Sequence, residues 1–318
     1  MNKFFQLIRN EQMKLYLLRS TWIMVGLLSV IIIGMGILTK VLDEQDPRLA
    51  TDEWRTALEE ENEQFEQEIA EDEFFETFNA GFIEENMFYL ENDIQPTKYG
   101  ALSFVYENSI FVLLVGLFSI IVAAGIVANE HRWGTIKLLL IRPISRTTIL
   151  FSKYASVLVF ALSMMAFLIV GLFVIGLILF GFEGTNPMYL ISASDGTLEL
   201  TSLYKGIVAD YGFPFIEIIM LLTLAFMIST IFKNNSMALG ATLFLMFTGT
   251  QIYVWFEKYA WSKYILFAHT DFSQFSASNT PIFEGNTPLF SIIVYAAYYI
   301  LFLFLAWFIF TKRDVAGD

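Results

Sequence analysis

Long charge-free runs alternate with short polar stretches along this chain. Twenty uncharged residues separate Arg19 from Lys40, 22 separate Glu107 from Glu130, and 29 separate Lys153 from Glu183. Another 23 lie between Lys233 and Glu257, 27 lie between Glu284 and Lys312, and Tyr211 to Phe232 is interrupted only by Glu217. A helix needs about 20 apolar residues to cross roughly 30 Å of hydrocarbon. The pattern therefore predicts six transmembrane helices, over residues 20–40, 104–129, 154–181, 212–232, 236–256 and 288–311. The first run is about twice as long as a signal-peptide core of ~7–15 residues, and no A-x-A site precedes Lys40, so it is expected to remain as a helix.

The connecting stretches carry patterns of their own. In 41–99, Trp54, Leu58, Phe65 and Ile69 recur at spacings of four, seven and four, a helical seam with charges on the other faces. Asn79-Ala80-Gly81 reads as a helix stop, with Phe82, Ile83, Met87 and Leu90 on a second short helix. A helical hairpin outside the membrane is expected. Two part-alternating runs flank Ser194-Asp195-Gly196 within 182–211, which suggests a β-hairpin. The 257–287 stretch opens with aromatics beside a membrane end, as in an interfacial belt or a short re-entrant helix.

Composition changes the picture mainly through charge. Only 16% of the 318 residues are charged and 56% are hydrophobic, against about 25% charged in a soluble domain. The net charge of −13 is local: residues 41–99 hold 19 acids and three bases (Arg48, Arg55, Lys98), net −16, so the remainder sums to +3. Bases gather in 1–19, in 130–150, at Lys233 and in 312–318, which a six-helix topology places on one side. Positive residues mark the cytoplasm. The expected fold is an all-α integral membrane protein with six transmembrane helices, both termini cytoplasmic and an extracellular acidic helical hairpin.

Candidate chemistry is sparse. There is no cysteine, and His131 and His269 fall in different segments, which makes a histidine zinc site improbable. No G-x-x-x-x-G-K-[ST], H-E-x-x-H or G-x-S-x-G occurs, so ATP is not expected to bind this chain through a P-loop. The ionisable residues of the spans are Glu107 and Glu217, both placed near outer helix ends; they are the weak candidates for substrate contact or a proton path. The acids of 41–99 read first as a solvated face.

The most informative stretch is Asn129 to Tyr154, "NEHRWGTIKLLLIRPISRTTILFSKY". Trp133, Ile136, Leu139 and Leu140 share a helical face, while Arg132 and Lys137 can reach lipid headgroups or a partner. Glu130 is expected to open this short helix, where a carboxylate favours the positive helix end by about 0.3–1 kcal/mol, and could pair with a base on a partner. Gly134 permits close approach. Pro143 forces a break and restricts Arg142 to extended geometry, and Ser145 can cap the next helix. The stretch resembles the segment between the second and third spans of ABC-2-type transporter permeases: a Glu, then Gly-Thr-(Leu/Ile)-(Lys/Glu)-x-Leu-Leu, then Pro-(Ile/Val)-Ser-Arg, then a Lys near the next helix. Matching positions are Glu130, Gly134, Thr135, Ile136, Lys137, Leu139, Leu140, Pro143, Ile144, Ser145, Arg146 and Lys153. "NEQMKLYLLRSTW" similarly resembles that family's interfacial helix, with Glu11, Lys14 and Trp22 in place.

The resemblance implies a permease subunit of a bacterial exporter in the cell membrane, not itself an enzyme. Residues 130–150 would be the coupling helix, with Glu130, Arg132, Gly134, Thr135, Lys137, Arg142, Pro143, Ser145 and Arg146 facing a separate ATPase subunit. ATP and Mg would sit on that ATPase, with no cofactor on this chain. A second permease chain, identical or a sister, and the bilayer are the other implied partners, with no nucleic acid. Substrates of the antibiotic, antimicrobial-peptide or lipid-like kind are expected. A membrane sensor or a secondary transporter with an extracellular acidic ligand-binding segment is the alternative.

Overall fold

The computed structural model describes residues 3–42, 47–135, 144–185, 187–193, 196–276 and 279–312. The regular structure of the described residues is helical apart from one short strand pair. Helix α1 (Lys3–Leu17) precedes α2 (Arg19–Leu42), then come α3 (Trp54–Glu71) and α4 (Glu76–Glu91). α5 (Ala101–Glu107) runs through a 3-10 turn, Asn108–Phe111, into α6 (Val112–Arg132). α7 (Arg146–Leu179) is followed by strands β1 (Met188–Ser192) and β2 (Leu198–Ser202), then α8 (Leu203–Phe232), α9 (Asn235–Phe256) and α10 (Pro288–Lys312).

Six of these stretches are long and apolar enough to cross a membrane: α2, α5–α6, α7, α8, α9 and α10. They are not equivalent. The most apolar windows of α5–α6 and α8 are 67% and 61% buried inside the protein, against 17% for α10. α6 and α8 therefore form the centre, with α7 packed on α6 and with α9 and α10 on α8. The outer helices leave large side chains such as Ile23, Val30, Ile178, Phe247 and Leu289 more than half exposed. A surface so apolar is unfavourable in water and suited to lipid. α2 lies along α7, with Gly36 against Ile175 and Leu179, and Gly171 against Ile32. Both contacts advance in the same chain direction, as the first and third of alternating spans must.

Several helices run beyond their charge-free cores. α7 begins at Arg146, eight residues before the expected 154, and α8 begins at Leu203, nine before 212. Freedom from charge marks the hydrocarbon layer, whereas backbone hydrogen bonding continues through polar turns. Asn79-Ala80-Gly81 is not a stop. α3 ends at Glu71, where the Asp72 carboxylate accepts from the Phe74 N–H at 2.9 Å, and α4 runs uninterrupted through Gly81. α3 and α4 pack on each other along the expected seam: Trp54 and Leu58 are buried, and Phe65 stacks on Phe82 at 5.7 Å. Asn79 and Asn86 reach across it to Glu68 and Glu61.

β1 and β2 pair antiparallel with Leu190 opposite Leu200, as the alternation suggests; Ser194 and Asp195 of the turn lie outside the described residues. The 257–287 stretch holds one-turn 3-10 helices, Ser262–Tyr264, Leu266–Ala268 and Ser273–Phe275, in place of a re-entrant helix. Within it His269 is wholly buried, its ring nitrogens 2.8 Å from Ser291 Oγ and 2.7 Å from the Lys263 carbonyl. Burial holds that imidazole below its ordinary value against the pull of the carbonyl, and its task is to pin this loop to the start of α10.

Candidate functional site

α1 is built to dock. Its buried residues are Leu7, Glu11 and Leu15, one stripe at a spacing of four, and the stripe lies on α7. A carboxylate in the middle of such a stripe is costly unless it is met by a cation. The cation is Lys153, in the second turn of α7, whose side chain is 1% exposed. Its ammonium donates to Glu11 Oε2 at 2.8 Å and to Glu130 Oε1 at 2.6 Å. Lys14, one turn beyond Glu11, closes the ring by donating to Glu11 Oε1 at 2.7 Å and to Glu130 Oε1 at 3.2 Å. Two carboxylates and two ammonium groups thus alternate around a cycle of zero formal charge. Hydrogen bonds from Gln12 to the Ser156 carbonyl, at 2.6 Å, and between Tyr16 and Ser163, at 2.5 Å, extend the α1–α7 seam.

Glu130 sits in the last turn of α6, not at the opening of a new helix. At that end the helix dipole is negative and disfavours a carboxylate by about 0.3–1 kcal/mol, which reverses the sign of the expected effect; the two lysines offset it. Glu130 is 7% exposed and turned inward, and its Oε1 is engaged within the chain by both lysines. Gly134 has φ +70°, and its N–H bonds the His131 carbonyl, which closes α6. Nothing lies within 4 Å of where its Cβ would stand. The glycine answers to backbone conformation, and no close approach among the described residues requires it. Thr135 Oγ1 donates to the Glu130 carbonyl at 3.4 Å.

On the far side of the stretch, Ser145 caps α7 as expected, accepting from the Thr148 N–H at 3.1 Å. Arg146 donates to the Thr311 carbonyl at 3.1 Å, at the C-terminal end of α10, and Trp307 Nε1 donates to Thr147 Oγ1 at 3.0 Å. Arg146 thus ties α10 to the start of α7. Residues 136–143, with Lys137, Arg142, Pro143 and the middle of the expected 130–150 coupling helix, lie outside the described residues. Arg132 and Trp133 are exposed, the guanidinium 5.9 Å from the indole centroid.

The ring therefore joins three separate pieces of sequence: the start of the chain, the last turn of α6 and the start of α7. The sequence pattern pointed to Glu11, Lys14, Glu130 and Lys153 one at a time and missed that they meet. The available signal was their common position beside charge-free runs, with two acids and two bases in balance.

Burial raises the Glu11 carboxyl, and Lys153 and Lys14 outweigh it, holding the group below its ordinary 4.5. Burial likewise lowers Lys14, and Glu11 with Glu130 outweighs it, holding the ammonium above its ordinary 10.5. A depressed carboxyl contributes stability above its unfolded value and loses it as pH falls through the folded one. A raised ammonium contributes fully below its unfolded value and loses it only as pH rises through the folded one. α1 docking is thus expected to be flat between about pH 5 and pH 10 and to loosen below about pH 4. A spin label on Ile8→Cys, in a chain with no native cysteine, reports this as mobility; no gain in mobility down to about pH 3 would exclude it.

The other two candidates lie elsewhere. Glu217 is the fifteenth residue of the 30-residue α8, at its middle, because that helix starts earlier than expected. Glu107 ends α5 and accepts from Tyr99 Oη at 2.7 Å. Both line a cavity of about 440 Å³ together with Asp210. Glu107 also borders a larger cavity, about 890 Å³, between α3–α4 and the β1 side of the bundle, lined by Glu60, Glu61, Glu68 and Glu85. Burial, with Glu84 adding to it, holds the Glu85 carboxyl above its ordinary value.

The fold defines a multi-pass helical membrane protein. The chain belongs to the family DUF2705, described as a protein of unknown function, which matches residues 73–316. It is similar to the uncharacterized protein YhcI of Bacillus subtilis (strain 168), with 38% identity over 314 residues, covering 98% of this chain and 99% of that protein. It is also similar to the uncharacterized membrane protein YdbK of the same organism, with 34% identity over 215 residues, covering 66% of this chain and 81% of that one.

Proposed function

We propose that this chain is the membrane subunit of an ATP-driven exporter of the ABC-2 type, worked by a separate ATPase that docks on residues 130–150. One observation carries the reading. Glu130 and Lys153 open and close the stretch that resembles such permeases, and they pair at 2.6 Å. Glu11, from the second resembling stretch, joins the same ring. The two ends of the first stretch, stapled to each other and tied to α1 and to α10, act as one body. A push on it by a partner reaches α6, α7 and α10 together. In this reading both termini and the 130–150 stretch are cytoplasmic, and α3–α4 form an extracellular acidic helical hairpin. A second permease chain, identical or a sister, completes the pathway. ATP and Mg are held by the ATPase, and the host is a bacterium that carries the assembly in its cell membrane.

The test is recovery of the tagged full chain from its native membranes in a mild detergent, with mass spectrometry of what comes with it. A P-loop ATPase without membrane spans is expected in stoichiometric amount. Recovery of the chain alone overturns the reading. It would favour the second one, a membrane sensor, for which the acid-lined cavity beside α3–α4 is the supporting observation.

A further inference from the structure

α2 leans on α7 and α1, and at the α1 end a slot is left between it and α6. The slot encloses about 500 Å³, within the usual range for small-molecule sites. Its walls are apolar, from Leu18, Met24, Val122 and Ile126 among others, and its polar end comes from Glu11, Lys14, Asn129, Glu130 and Asn235. Glu130 is more than nine-tenths buried, and its Oε1 takes both lysines. Its Oε2 is buried and has no hydrogen-bond partner among the described residues; Asn235 Oδ1 is in the same condition. Gly125 makes room for this polar end, since a Cβ there would stand 2.7 Å from Asn129 Nδ2 and 3.9 Å from Asn235 Oδ1.

Two buried acceptors at the end of an apolar slot call for donors attached to an apolar body. The charge balance narrows the choice. The ring is already neutral, so a hydroxyl satisfies Glu130 Oε2 without disturbing it, whereas a phosphate would have to draw Lys14, which also lines the slot, away from Glu11 and Glu130. The slot also opens at the lipid side, where Leu17 and Leu18 are exposed. We propose that it binds one neutral, hydroxyl-headed glycerolipid. The head hydroxyls donate to Glu130 Oε2 and Asn235 Oδ1, and one acyl chain lies between α2 and α6. The site puts a lipid in contact with the ring that staples the 131–152 stretch, and it holds whether or not an ATPase binds there.

The experiment is native mass spectrometry of the purified full chain, titrated with 1-monooleoylglycerol, dioleoylphosphatidylethanolamine or dioleoylphosphatidylglycerol. One retained monooleoylglycerol is expected, at least ten-fold tighter than either phospholipid. Asn235→Leu removes one acceptor, and Ser20→Phe, at an exposed wall position, fills the slot. Each should weaken monooleoylglycerol at least ten-fold without moving the melting temperature. Equal binding by both variants and wild type overturns the site, as does a preference for either phospholipid or the absence of any adduct. A dimer lost on Ser20→Phe, with no lipid adduct, would show that a second copy covers the slot instead.

Discussion

Lys153→Met is expected to destabilise the protein by about 3–5 kcal/mol, the range for removing one partner of a buried ion pair. The ammonium is 1% exposed and is the only cation of the ring with no access to water; Lys14 is half exposed. Without it, Glu11 and Glu130 face each other under a single shared lysine. The loss should be specific to unpaired charge, since methionine fills much the same volume. Adding Glu130→Gln to Lys153→Met leaves Glu11 with Lys14, and should recover most of the stability. The measurement is a thermal-unfolding series in detergent on wild type, both single variants and the double. Melting of Lys153→Met at the wild-type temperature, or strictly additive losses in the double variant, would rule out a coupled ring.

A cluster that adds little net stability and much sensitivity to loss is a poor choice for simple packing. Here it joins elements that apolar contacts alone leave free to slide. Leu7 and Leu15 hold α1 on α7 without fixing its register, because leucines a turn apart pack nearly as well when shifted. The Glu11–Lys153 pair admits one register. The same lysine fixes the distance from the end of α6 to the start of α7, where the stretch between them begins and ends.

How much of this was legible in the sequence follows from what each feature depends on. The six spans were readable because hydrocarbon excludes charge over a fixed length. The extra turns of α7 and α8 were not, because a helix can continue into polar surroundings where no composition rule marks its end. Ser145 was readable as a cap because capping is local, satisfied by Thr148 three residues away. Asn79-Ala80-Gly81 misled for the opposite reason. A mid-helix glycine costs about 1 kcal/mol, which the packing of α4 on α3 outweighs, and the real break falls at Asp72, whose side chain carries no signal in the apolar seam. Glu130 was placed at the wrong end of a helix because Gly134 was read for size, while its positive φ closes α6. The ring could not be read at all, since Glu11 and Lys153 are 142 residues apart and only the fold brings them together.

If the proposed ATPase docks on this stretch, Arg132→Glu combined with Trp133→Ala is expected to lower its recovery at least ten-fold, about 1.4 kcal/mol or more, with the melting temperature unchanged. Glu130 is turned inward and Arg146 is engaged with α10, so among the described residues of the stretch the exposed Arg132 and Trp133 are the ones left to meet a partner. Trp133 is 58% exposed beside the exposed Arg132, and Trp and Arg are among the residue types that most often dominate interface energies. Removing exposed side chains changes stability little, so a drop in recovery at constant melting temperature reports the interface itself. Glu130→Gln supplies the contrast. It should lower both quantities, because it loosens the ring beneath the stretch. Wild-type recovery of the ATPase by the Arg132→Glu, Trp133→Ala protein would place Trp133 in the headgroup layer as an interfacial aromatic and remove both residues from the docking surface.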